Sequence, residues 1–256
     1  MLYKMPTSRK IIAFEGLDCS FKETNCREFY KRFKETYIFR DVRTESFPRY
    51  SDQTASYFLR GWLDGRYDRP YLKNHPKAID SMYSLDRFDF WFKPDEFYRT
   101  QYEAEATFIF DRYSLSNAIY NPINGQEATV EDYIFDRDTF GVPNPDIIVW
   151  MRMKSFKTLS NLIARKKNKD KNELDITYLK MIHTRSEHMV HSHIFEKHPE
   201  IGVKKFVVID CIDYNNQLKS RETLAEEVYE KTIEAYVEVE KEKHRNARKN
   251  VEEPIE

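Results

Sequence analysis

The stretch Ile11-Ile12-Ala13-Phe14-Glu15-Gly16-Leu17-Asp18-Cys19-Ser20-Phe21-Lys22-Glu23-Thr24 runs from apolar residues through a polar turn into a helical start. Gly16 and Lys22 stand at the spacing of a phosphate-cradling loop, G-x-x-x-x-G-K-[ST]. In such a loop, successive backbone N–H groups point at phosphate oxygens and the next helix adds its positive end. Gly16, Cys19, Ser20, Phe21, Lys22, Glu23 and Thr24 would then surround a triphosphate, with Lys22 reaching its terminal phosphates. Two positions depart from the pattern: Phe21 replaces the second glycine, and Glu23 replaces the hydroxyl residue. A Cβ hinders the backbone angles that glycine takes freely, so the Phe21 ring must turn away from the phosphates. Glu23 puts a carboxylate where a hydroxyl usually binds Mg²⁺, where it either ligates the metal or repels the nucleotide; Thr24 offers a substitute hydroxyl. Taken alone, the segment reads more simply as an ordinary strand-to-helix turn.

Thr107-Phe108-Ile109-Phe110-Asp111-Arg112-Tyr113-Ser114-Leu115-Ser116 repeats the apolar strand, polar turn and helix start. It places Asp111 and Arg112 at the carboxyl end of a strand, where open α/β sheets bind ligands. An Asp beside a phosphate loop can hold Mg²⁺ or its waters, and an Arg can grip a phosphate with two N–H groups. A capping Asp beside a surface Arg explains the same residues if the motif stands alone.

The elements that must position these groups are legible as alternating runs. Lys10 to Phe14, Phe108 to Phe110, Asp146 to Met153 and Phe206 to Ile209 read as buried strands separated by amphipathic stretches. That alternation predicts a parallel sheet with helices on both faces. Gly61 to Pro76 breaks two helices, and Lys219 to Glu242 has helical spacing. Lys243 to Glu256 is nearly all charged, which predicts fraying or disorder. The expected organisation is one domain over 1–218 with a charged helix and tail over 219–256. The 256 residues carry 42 Lys and Arg against 43 Asp and Glu, a net charge of −1 that argues against a dedicated nucleic-acid binder. No apolar run approaches the roughly 20 residues of a membrane span, and no signal-type run opens the chain. Three scattered cysteines make no disulfide framework and point to a reducing, cytoplasmic setting.

Phe14-Glu15-Gly16-Leu17-Asp18, Phe47-Pro48-Arg49, Tyr83-Ser84-Leu85-Asp86-Arg87-Phe88, Asp111-Arg112-Tyr113 and Pro145-Asp146, in that order and spacing, resemble thymidylate kinases over roughly residues 10–215. The resemblance implies a P-loop NTPase-like α/β fold and transfer of the γ-phosphoryl of ATP, with Mg²⁺, to a deoxynucleoside monophosphate, dTMP giving dTDP. By that resemblance Lys22 and Arg112 hold phosphates, and Asp111 supports the metal with Glu23 as a second candidate ligand. Asp18 would bond the acceptor 3′-hydroxyl, Tyr83 would stack on the base and Arg87 would bond a base carbonyl. Tyr120 falls near the sugar, and Asn117 could alter the pocket. Many relatives carry a phosphate-binding Arg two residues past the Pro of the Phe-Pro segment; here Tyr50 stands there, and Arg49 takes the role only in a shifted turn after Phe47. The basic run falls where the family has a mobile lid, about 165–174, so Arg165 or Lys171 would close over the ATP phosphates. Asp170-Lys171-Asn172-Glu173 resembles the family's D-R-x-E with Lys in place of Arg. Cys211 is either a bystander beside adenine or a buried structural thiol. Relatives often pair as homodimers through helices.

For Tyr83 and Tyr120, ordinary core packing is the competing explanation. His188, His191 and His193 lack a nearby carboxylate or thiol to complete a metal site, so they read as a solvated helix face. Three other functions compete with this one. One is kinase action on a different or modified deoxynucleotide. Another is a non-catalytic nucleotide-binding or scaffold descendant, motivated by Phe21 and Glu23. The third is a deoxynucleoside kinase, against which Tyr113 argues.

Overall fold

The computed structural model describes residues 10–38, 40–51, 56–67, 72, 74–93, 106–120, 128–167 and 173–252. Five strands, β1 (Lys10–Gly16), β2 (Val42–Ser46), β3 (Thr107–Asp111), β4 (Ile147–Arg152) and β5 (Lys205–Asp210), form one sheet in the order β2-β3-β1-β4-β5. Every pairing is parallel, with Phe14 opposite Asp111 and Val149. This is an α/β fold consistent with a P-loop NTPase-like architecture. β2 is absent from the apolar-run reading because its residues, VRTES, alternate in burial at the sheet edge.

Central β1 is buried along its whole length, as a strand covered on both faces must be. Its alternate residues serve two cores. Ile12 and Phe14 pack with Phe29 and Phe33 of α1 (Lys22–Thr36), whereas Ile11 and Ala13 face Phe47, Phe90, Trp91, Phe108 and Phe110. The short α2 (Tyr57–Leu63) precedes α3 (Pro76–Phe92), which supplies Phe90 and Trp91 to the second core. α4 (Leu115–Tyr120) follows β3 directly, and α5 (Val130–Phe140) begins with a capping box at Thr129 and Asp132. α6 (Phe156–Arg165) is capped by Ser155, and α7 (Ile176–Ser192) by Asp175, whose carboxylate accepts from the N–H groups of Thr177 and Tyr178. The one-turn α8 (Ile194–Lys197) leads toward β5.

The last helix, α9 (Arg221–Glu252), continues well past the point where charge density suggested fraying. Its Glu-, Lys- and Ala-rich sequence is a good helix former, and Leu224, Val228, Tyr236 and Val239 are buried against α1 and the sheet. Among the described residues no helix is long and apolar enough to cross a membrane.

The topology decides where a ligand can sit. The chain leaves β1 toward β2 on one side and leaves β3 toward β4 on the other. β1 and β3 are neighbours, so their carboxyl ends flank a crevice at the reversal point. Gly16 and Asp111 end those two strands.

Candidate active site

A cavity of about 710 Å³ opens at the carboxyl ends of β1 and β3, within the range of small-molecule sites. Of the residues expected at the site, Asp18, Lys22 and Glu23 line it from the first turn, and Asp111 and Arg112 from the second. Phe47, Tyr83, Arg87, Asn117 and Tyr120, also expected, line its other walls.

The turn after β1 passes through two left-handed residues. Cys19 and Phe21 both adopt the left-handed conformation, at φ 62° and 61°, and Phe21 caps α1. Each costs roughly 1–2 kcal/mol in a residue with a Cβ. Arg112 is left-handed too, at φ 63°. Of the five described non-glycine residues with positive φ, three therefore flank the cavity, the usual location of stored backbone strain. The Phe21 side chain is partly exposed and outside the cavity lining, as its Cβ demands. Gly16 has no room for a side chain: a Cβ there would lie 2.5 Å from Ser20 Oγ and 2.8 Å from the Met151 carbonyl. Gly16, Cys19, Ser20, Phe21 and Thr24 do not line the cavity. The first four shape the loop's backbone, and Thr24 is exposed on α1.

Lys22 and Arg112 converge on one carboxylate. Lys22 Nζ donates to the Leu17 carbonyl at 3.3 Å and lies 3.6 Å from Asp18 Oδ1, which Arg112 Nη2 also contacts. Burial, followed by the neighbouring Arg112 charge, pulls the Lys22 ammonium down to about 8. Burial works to raise Asp18, but the cations of Arg112 and Lys22 outweigh it and hold its carboxyl below the ordinary range. Arg112 also reaches the Gly16 carbonyl and Ser116 Oγ, and its guanidinium lies 5.6 Å from the centre of the Tyr120 ring.

Glu15 fastens the two turns together. It is fully buried and accepts hydrogen bonds from the backbone N–H of Tyr113 at 2.8 Å and of Ser116, and from Ser116 Oγ at 2.6 Å. Burial pushes its carboxyl up, against those donors. Its signal in the sequence was its place directly before Gly16.

Asp111 carries the observation that bears on a metal. Its Oδ2 accepts from Ser46 Oγ at 3.1 Å, while Oδ1 is buried and has no partner. Burial raises its carboxyl despite Lys22 and Arg112 nearby. A carboxylate oxygen without a donor, in a cavity that Lys22 also lines, fits Mg²⁺, which needs only one or two carboxylates alongside waters and phosphates. Glu23 does not fit that role: its carboxylate is exposed and paired with Arg27 at 2.8 Å, one helical turn along.

At the far wall, Arg87 is buried and donates its Nε to Asp136. Its Nη2 is buried with no partner. Asn117 is also buried and reaches the Asp80 carbonyl at 3.4 Å.

Two expected ligands are elsewhere. Arg49 is not in the cavity, because Asp86 and Asp89 claim it: Nε to Asp86 Oδ1 at 2.9 Å and Nη2 to Asp89 Oδ2 at 2.7 Å. Tyr50 lines the cavity in its place. Arg165, the last residue of α6, is exposed and away from the cavity, whereas the next residue, Lys166, lines it and bonds Glu173 at 2.6 Å. Lys171, with the central part of the expected lid, lies outside the described residues. Tyr178 and Arg185 of α7 line the cavity as well and had no signal in the sequence. No family model matches the chain.

Proposed function

We propose that this chain transfers the γ-phosphoryl group of ATP to a deoxynucleoside monophosphate, with dTMP as acceptor and Mg²⁺ as the metal. The reading rests on one observation: the turns after β1 and β3, with Lys22 and Arg112, share a single cavity with a wall made by Tyr83, Arg87 and Asn117. Phosphoryl transfer asks a protein mainly to position two nucleotides and to offset charge. Lys22, at the head of α1, would take the ATP phosphates together with the N–H groups of the loop. Asp111 would hold Mg²⁺ through its unpartnered oxygen, and the metal would supply charge at the phosphates. Arg112 would hold the acceptor phosphate once it exchanges its contact with Asp18. Asp18, released from that pair, would accept from the acceptor's sugar hydroxyl. At the other wall Tyr83 would lie along the base, and the unspent Nη2 of Arg87 would donate to a ring carbonyl. Lys166, within the expected lid, would add its charge to the cavity that it lines.

The cytoplasm is the setting this chemistry suggests, with small nucleotides as the only partners that the cavity calls for. A second reading, a nucleotide-binding protein without turnover, is favoured by Glu23 pairing with Arg27 and by Asp18 engaging both phosphate cations. A coupled ADP-release assay with ATP, Mg²⁺ and a panel of deoxynucleoside monophosphates separates the two. Turnover strongest on dTMP supports the kinase. Folded protein that binds ATP but is silent on every acceptor supports the binding protein.

A further inference from the structure

Arg87 lies in a buried polar cluster assembled from two helices. Its Nε donates to Asp136 Oδ2, and the other oxygen of that carboxylate accepts from Ser84 Oγ at 2.5 Å. Ser84 is fixed in turn, since its hydroxyl also lies 2.8 Å from the Asp80 carbonyl one turn earlier on α3. Asp136 belongs to α5, so the contact spans two helices and 49 residues of chain. The guanidinium also rests 5.9 Å from the centre of the Tyr113 ring. All these contacts leave Nη2 without a partner on a residue that forms part of the cavity wall.

A second carboxyl, Asp80, is buried in the same cluster with Oδ1 unpartnered. Burial, followed by the Asp136 charge, pushes it up to about 9, so it is neutral at pH 7. The unpartnered donor of Arg87 calls for a ligand edge that accepts a hydrogen bond.

We infer that Asp136, steadied by Ser84, is the positioning residue that aims Arg87 and so makes the site choose a base with a ring carbonyl over one with an amino group at the same place. The inference rests on the function proposed above and adds to it the origin of base choice. A guanidinium has donors only, so it meets a carbonyl productively and an amino group not at all. A site built around a buried donor rejects a ligand that leaves that donor unpaired. That rejection depends on the donor being held, and the Asp136 carboxylate is what holds it.

The test is calorimetric titration of dTMP, dCMP and ATP into the full chain, as wild type, Ser84→Ala and Asp136→Asn. Wild type should prefer dTMP over dCMP, and both variants should lose on the order of tenfold of that preference while ATP affinity stays unchanged. Asn keeps an oxygen for Arg87 Nε but drops the charge, so Asp136→Asn should keep measurable dTMP binding. If it does not fold, Ser84→Ala, which keeps the ion pair, still reads the effect. Preference retained in the folded variants would overturn the inference while leaving the proposed function standing. A wild type that binds ATP but no monophosphate would overturn both. A merely structural role would lower the thermal midpoint and leave the ratio between the two bases where it was.

Discussion

Arg49 and Arg87 are both largely buried, both meet carboxylates, and both contact side chains carried by the helix Pro76–Phe92 or lie on it. Arg49 is surrounded by two carboxylates and a carbonyl: its Nε and backbone N–H go to Asp86, and its Nη2 is shared between the Asp86 carbonyl and Asp89. Arg87 meets one carboxylate, keeps a buried Nη2 without a partner, and is itself part of the cavity wall. The difference teaches what makes an arginine available. A guanidinium saturated by two anions ties a loop to a helix; one matched by a single anion can still donate to a ligand.

The largest effect should come from the opposite end of the cavity, where neither arginine reaches. Lys22→Ala should lower kcat by about 10²–10³-fold while leaving the thermal midpoint close to that of wild type, since Asp18 keeps Arg112. Steady-state kinetics and a melting curve check this together; an unchanged kcat would remove Lys22 from the phosphate site.

The two arginines should then separate in the KM for dTMP, since each variant strands a buried carboxylate. Arg49→Met strands Asp86 and Asp89, and losing one partner of a buried pair costs about 3–5 kcal/mol. Denaturant unfolding should show that loss, with the KM for dTMP within about twofold of wild type. Arg87→Met should raise the KM for dTMP by tenfold or more, and a rise in Arg49→Met instead would reverse the comparison.

Lys22 also predicts a pH dependence. With its ammonium at about 8 in the free protein, kcat/KM for ATP should fall as pH rises through 8, because the cation is being lost. Lys22→Arg should remove that limb of the profile.

The smallest effect concerns Asp80, whose folded value of about 9 lies far above its ordinary 3.8. Between those values the folded state holds a proton that the unfolded state has released, so its contribution to stability declines as pH rises across that window. Asp80→Asn should flatten this slope and raise the melting temperature at pH 8 by a few degrees. A steeper slope in the variant would contradict the assignment.

Much of this arrangement was legible in the sequence, for a physical reason. Buried parallel strands are continuous apolar runs, so β1, β3, β4 and β5 announce themselves, and the residues directly after β1 and β3 fall at the ligand end of the sheet. β2 escaped because this edge strand has a single apolar residue, Val42, among only five positions. Arg49 was misplaced because Asp86 and Asp89 lie 37 and 40 residues away, a proximity that no local pattern encodes. Asp136 was invisible on the same ground. Arg165 and Lys166 show the finest limit: the helix ends between them, and that single step decides which cation faces the cavity.

The most direct measurement is the identity of the products formed from ATP, Mg²⁺ and dTMP by the full chain, followed by ³¹P NMR for wild type and Lys22→Ala. The account predicts one dTDP for each ADP in wild type and neither product above background in the variant. ADP without dTDP, or dTDP formed equally well without Lys22, would contradict it.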